Sequence, residues 1–139
     1  MKKTTLIISL LTLALFSQAQ KVDSWKVMLN NKLLINTSKV DEVKNVKTLN
    51  ASDIKKSGFL EIKYKESTDD WYRSFFFTDE SGIEIYRRDS TTSVKIRISA
   101  LLPLSKAKKE IKIYTTISPR DPSVAVRVRP VHIYTLRFR

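Results

Sequence analysis

Residues 124–139 read Val124-Ala-Val-Arg-Val-Arg-Pro-Val-His-Ile-Tyr-Thr-Leu-Arg-Phe-Arg139. In an extended chain alternate side chains point to opposite faces, so Val126 and Val128 fall on one side and Arg127 and Arg129 on the other. Leu136 and Phe138 repeat the arrangement against Arg137 and Arg139. The pattern predicts a strand with one apolar face for a core and a row of guanidinium groups on the other. Pro130 cannot donate to a ladder, so there the strand lies at an edge, bulges or breaks. A register that holds through Pro130 turns His132 and Tyr134 to the core, whereas a one-residue bulge turns Val131 and Ile133 inward instead.

The same two-residue period recurs along the chain. Trp25, Val27 and Leu29 alternate with Lys26 and Met28, and Asn30-Asn31 then predicts a tight hairpin because asparagine tolerates positive φ. Trp25 reads as a core anchor. Val46 to Leu49 is a short strand, and Ser52 to Gly58 carries the start and stop signals of a helix of about a turn and a half. Leu60, Ile62 and Tyr64 alternate with Glu61, Lys63 and Lys65. Trp71 to Thr78 places Trp71, Phe75 and Phe77 on one face and Tyr72 and Phe76 on the other, which suits a strand covered on both sides. Asp79-Glu80-Ser81-Gly82 reads as a hairpin loop leading into Ile83 and Ile85, and Val94, Ile96 and Ile98 are set against Lys95 and Arg97. Ser105 to Lys109 suits a single helical turn, and Ile111, Ile113 and Ile117 lie opposite Lys112, Tyr114 and Thr116.

Nine or ten short strands separated by turn signals predict an all-β fold, a single antiparallel β-sandwich of Greek-key, immunoglobulin-like or cupredoxin-like outline with one or two very short helices. At 139 residues, with 42% hydrophobic and 29% charged content, one core and one domain are expected, over residues 20–139. Residues 1–19 read as a signal peptide. Lys2 and Lys3 precede the apolar run Leu6 to Phe16, and Ser17-Gln18-Ala19 closes it with small residues suited to cleavage after Ala19. That run is too short for a membrane span, so a periplasmic or secreted protein is expected. With no cysteine, neither a disulfide nor a lipid-modified cysteine is available.

The inventory narrows the chemistry. His132 is the single histidine and cysteine is absent, so zinc, blue-copper and His-activated nucleophile sites lack their usual residues. Gly58 and Gly82 are the only glycines, which leaves no phosphate-cradling loop. Asp69-Asp70 and Asp79-Glu80 sit in turns, where acidic residues are favoured for backbone reasons, while Glu61 and Glu84 lie on strands. A non-catalytic protein without metal or cofactor is the expectation. The chain from Gln20 to Tyr86 is electrically balanced. Arg87 to Arg139 therefore carries nearly all of the net charge of +12, opposed only by Asp89, Glu110 and Asp121. Arg127, Arg129, Lys95, Arg97 and Lys112 fall on outward positions and are expected to converge on one basic face, spaced for an anionic partner. Its ligand is expected to be an anionic glycan, a lipid such as lipopolysaccharide, or an acidic envelope protein, and not nucleic acid. Three other readings stand beside it: the arginines protect an edge strand, the terminal strand pairs with a neighbour in a structural assembly, or, least favoured, two carboxylates such as Glu61 and Glu84 meet across a sheet in a small glycan-acting enzyme.

The Ala19-Gln20 junction, the opening Trp25-Lys-Val-Met-Leu-Asn30 hairpin and the closing Val126-Arg-Val-Arg-Pro-Val-His132 together resemble small, uncharacterised exported proteins of Bacteroidota. The resemblance implies an envelope location and a β-sandwich, and it transfers no catalytic residue.

Overall fold

Asn30 and Asn31 adopt φ angles of 52° and 64° in the two-residue turn between β1 (Ser24–Leu29) and β2 (Lys32–Thr37). Two successive positive φ values match the right-handed twist of the strands they join, as the asparagine pair predicts. The computed structural model describes residues 21–50, 52–53, 58–101, 103 and 109–139. The leader therefore lies outside the described residues, as do most of the helices expected after Ser52 and Ser105; Ser52 and Asp53 are helical. The other elements are β3 (Val46–Leu49), β4 (Phe59–Lys65), β5 (Trp71–Asp79), β6 (Glu84–Arg88), β7 (Ser93–Arg97), α1 (Ile98–Leu101), β8 (Glu110–Pro119) and β9 (Val131–Phe138).

They form a sandwich of two sheets, ordered β2-β1-β4-β7 and β3-β9-β8-β5-β6. The chain passes repeatedly from one sheet to the other. Pairing is antiparallel except between β3 and β9, which run parallel, so the larger sheet is mixed where a wholly antiparallel sandwich was expected. From the smaller sheet Trp25, Val27, Leu60, Ile62 and Val94 meet Phe75, Phe77, Ile111, Ile113 and Leu136 from the larger one, all essentially inaccessible. Each is at the inward position of the expected alternation. Trp25 also links the layers, since its indole Nε1 donates to the carbonyl of Ile133 at 3.3 Å.

The last stretch divides at its proline. Residues 124–130 belong to no strand, and Val126 is 44% exposed where alternation places it in the core. Pairing begins at Val131 and contains a bulge: Ile113 pairs with Tyr134 and Tyr114 with His132, which leaves Ile133 as the extra residue. Ile133 and Tyr134 both enter the core, while His132 turns to the outer face against Tyr114, their rings 5.6 Å apart. Neither simple parity holds, because the bulge lies inside the strand and not at the proline. A second irregularity, between Phe77 and Thr78, sets Tyr86 edge-on to Phe77 at 5.2 Å and leaves Ile83 exposed.

Candidate functional site

Arg73 occupies an inward position of β5, between Trp71 and Phe75, and its side chain is only 6% exposed. A cation facing inward at the end of a strand must find partners there. Its Nε donates to Glu66 Oε1 at 2.8 Å, Nη1 to Thr115 Oγ1 at 3.1 Å and Nη2 to Asp23 Oδ2 at 3.3 Å. The guanidinium carbon lies 3.6 Å from the centre of the Tyr64 ring, and Tyr64 stacks in turn on Trp25 with centroids 5.8 Å apart. Trp25, Tyr64 and Arg73 thus form a column from the core to one end of the sandwich.

Asp23 is held by the same group. Tyr64 Oη donates to Oδ2 at 3.1 Å and the Ser67 amide to Oδ1 at 2.8 Å. Burial opposes its ionisation, but the bonds from Ser67 and Tyr64 together with the Arg73 charge outweigh burial and hold its pKa below the usual 3.8. Burial, reinforced by the Asp23 carboxylate, pushes the Tyr64 phenol up to about 12.

Above Arg73 opens a cavity of about 300 Å³ whose walls include Asp23, Tyr64, Trp71, Thr115, Val126, Arg127, Val128 and Arg129. On the other side of Trp71 and Arg73 lies a second hollow of about 280 Å³, bordered by Glu66, Tyr72, Ser90, Thr91 and Arg120. The Arg120 guanidinium stands 5.2 Å from the Tyr72 ring. The connection that carries Arg127 and Arg129 leaves β8 through a local turn, in which Asp121 Oδ1 accepts from the amide and hydroxyl of Ser123 at 2.9 and 2.7 Å. Val126, Arg127, Val128 and Arg129 all border the first cavity, so here the alternation does not separate apolar from basic. Arg127 and Arg129 are exposed and have no carboxylate within salt-bridge distance among the described residues.

The five expected basic residues do not converge. Arg127 and Arg129 stand at the end cavity, Lys95 and Arg97 project from β7 on the outside of the smaller sheet, and Lys112 projects from β8 on the outside of the larger one. The hydrophobic core separates the last two places. Lys112 is moreover paired, with its Nζ 3.4 Å from Glu110, which also accepts from Arg137 Nε at 2.8 Å. Sequence reading missed Arg73, although its signal was available: it shares the parity of Trp71, Phe75 and Phe77, and a cation at a core position demands partners.

The carboxylates are dispersed. Glu61 and Glu84 belong to different sheets, and Asp79 uses Oδ1 to accept from the Ser81 and Ile83 amides at 2.9 Å each, which closes the β5–β6 turn. Among the described residues no group of three or more acidic, His or Cys side chains could hold a metal. What the end cavity offers chemically is an aromatic wall beside the exposed Arg127 and Arg129 guanidinium groups, which suits an anion attached to a partly apolar body. Arg73 is already matched by Asp23 and Glu66, and the Thr115 hydroxyl donates to the Ser74 carbonyl at 2.9 Å.

His132 lies elsewhere, 3% exposed, with Nε2 2.8 Å from Thr135 Oγ1. Burial depresses its pKa below 6.5, with Lys112 adding to the effect and Glu42 and Glu110 opposing it. The unfolded chain takes up a proton near pH 6.5 that the folded chain refuses, so stability should fall as the pH drops below about 6.5. Denaturation midpoints measured in steps from neutral to mildly acid pH should show this slope in the native protein and a flatter one in His132→Gln. An unchanged slope would assign it to other groups.

No family model matches the chain, and neither a curated protein nor a solved structure is significantly similar to it.

Proposed function

We propose that the protein is an exported, non-catalytic binding module whose end cavity takes the acidic group of an envelope ligand, in the first place an acidic glycan. The observation that carries the reading is the placement of Arg127 and Arg129, which have no salt-bridge partner among the described residues, at the rim of a cavity floored by Arg73. Arg73 is already engaged by Glu66 and Asp23, so its part is to hold the floor polar and rigid. Arg127 and Arg129 retain free donors for a carboxylate, sulfate or phosphate. Trp71 lies between the two hollows and supplies a ring against which the body of a sugar can pack. The export leader expected at residues 1–19 accords with an extracytoplasmic ligand. Assembly through the terminal strand has less support, because β9 is enclosed between β3 and β8 and offers no free edge.

Calorimetric titration with a trimer of galacturonate and with a neutral galactose trimer tests the reading. The acidic trimer should bind and the neutral one should not, and raising the salt should weaken binding as the Debye length shrinks. Replacing both arginines, Arg127→Ser and Arg129→Ser, should leave thermal unfolding unchanged. It should lower affinity by about tenfold or more, as loss of a charge-assisted hydrogen bond does. Equal binding of both trimers, or full affinity in the double variant, would refute the proposed site.

A further inference from the structure

The two outer faces of the sandwich treat their charges differently. On the larger sheet Arg87, Lys112 and Arg137 are matched by acids: Arg87 lies 2.6 Å from Glu84, and Lys112 and Arg137 share Glu110 at 3.4 and 2.8 Å. Lys47 and Arg88 of that sheet have no carboxylate within salt-bridge distance among the described residues. On the smaller sheet Lys26, Lys63, Lys65, Lys95 and Arg97 all occupy outward positions, with Glu61 the acid among them. Lys63 pairs with Glu61 at 3.2 Å, whereas Lys26, Lys65, Lys95 and Arg97 have no carboxylate within salt-bridge distance among the described residues. Lys26 stands directly opposite Lys63 across β1 and β4, a like-charge pair in which Lys63 alone has an acid beside it among the described residues.

Apolar side chains stand among these cations. Leu33 is 53% exposed and Phe59 37%, and Met28 lies between Leu33 and Glu61 in the pairing across β2, β1 and β4. Lys95 Nζ and the Arg97 guanidinium are 5.2 and 5.1 Å from the centre of the Phe59 ring, so two cationic heads and an aromatic ring share one spot on this face. A soluble polyanion would neutralise the cations and leave Leu33 and Phe59 in water. A bilayer bearing anionic headgroups meets both, phosphates at the cations and the acyl boundary at the apolar tips.

We infer that the outer face of the β2-β1-β4-β7 sheet docks on an anionic phospholipid surface. This surface lies apart from Arg127 and Arg129 and does not depend on the ligand proposed for the end cavity. Bound to a membrane, the protein would still present that cavity, which opens at the end of the sandwich and not on the docked sheet face.

Co-sedimentation with vesicles tests the inference, using the full chain throughout so that residues 1–20 are common to every variant. The protein should sediment with vesicles containing phosphatidylglycerol beyond what pure phosphatidylcholine retains, and added salt should release that excess. Lys26→Glu, Lys95→Glu and Arg97→Glu combined should cut partitioning by more than about a hundredfold, roughly fivefold for each cation lost near a charged surface with the repulsion of three new carboxylates added to it. Leu33→Ser with Phe59→Ser should weaken it several-fold while leaving its salt dependence in place. Should the glutamate variant melt early, the corresponding glutamine variant removes the cations without adding repulsion and reads the same quantity. Arg127→Ser with Arg129→Ser should partition like the native protein. Native partitioning of both charge variants would overturn the inference. So would unchanged partitioning of the Leu33/Phe59 variant together with equally tight binding of dissolved polyphosphate, which would make the face a polyelectrolyte site.

Discussion

Replacing Arg73 by alanine is expected to cost about 3–5 kcal/mol of folding stability, the range seen when one partner of a buried ion pair is removed. The loss arises chiefly from the Glu66 carboxylate, whose side chain is 13% exposed and which would be left without its 2.8 Å partner. Asp23 contributes less, because it is 37% exposed and keeps its bonds from Ser67 and Tyr64. Thr115 would also lose a donor and the Tyr64 ring its covering guanidinium. Urea denaturation at neutral pH measures the total. The origin is tested by a second comparison. Arg73→Met combined with Glu66→Gln removes the stranded charge as well as the cation, so the double variant should be more stable than Arg73→Met alone. If the double variant is instead the less stable, Glu66 does not depend on Arg73 and the account fails.

Replacing Trp25 by alanine should destabilise the fold by about 3–5 kcal/mol, the usual consequence of emptying a buried aromatic site. Trp25 is 3% exposed and is stacked on Tyr64, and it is also the donor to Ile133, the extra residue of the β9 bulge. A bulge disrupts the ladder locally and leaves backbone groups to be satisfied from elsewhere, here by an indole of the opposite sheet. Trp25→Phe keeps most of the apolar filling and removes only that donor. It should therefore cost about 1–3 kcal/mol, the penalty of an unsatisfied buried acceptor. Circular dichroism during denaturation reads both variants, and an unchanged slope with denaturant would place the effect in the folded state. A neutral Trp25→Phe would mean that the Ile133 carbonyl does not need the indole, and the link between bulge and tryptophan would be lost.

Both results concern residues whose importance has a local signature and a non-local cause. Trp25 is recognisable as a core residue from its alternation with Lys26, but nothing near it in the chain names Ile133 as its acceptor. Arg73 stands at a core parity, which announces an inward charge, yet Asp23, Glu66 and Thr115 reach it from other segments. The basic residues show the same division. That Lys95, Arg97 and Lys112 point outward follows from period-two alternation. Alternation orients a side chain relative to the core without saying which sheet carries its strand, so their convergence was not decidable from the pattern. The structure puts β7 and β8 in opposite layers.

The sequence by itself determined most of the strands, the apolar face of most of them, the hairpins at Asn30-Asn31 and Asp79–Gly82, and a sandwich as the way to bury those faces. These depend on interactions between residues close along the chain, where backbone geometry and solvent preference act directly. Tertiary structure alone decided the parallel placement of β3 beside β9, the bulge at Ile133, the release of residues 124–130 from the sheet and the grouping of Arg73, Arg127 and Arg129 at one end. Each follows from how two layers with limited room accommodate one another's side chains. That packing is set by segments far apart in the chain, and no local pattern encodes it.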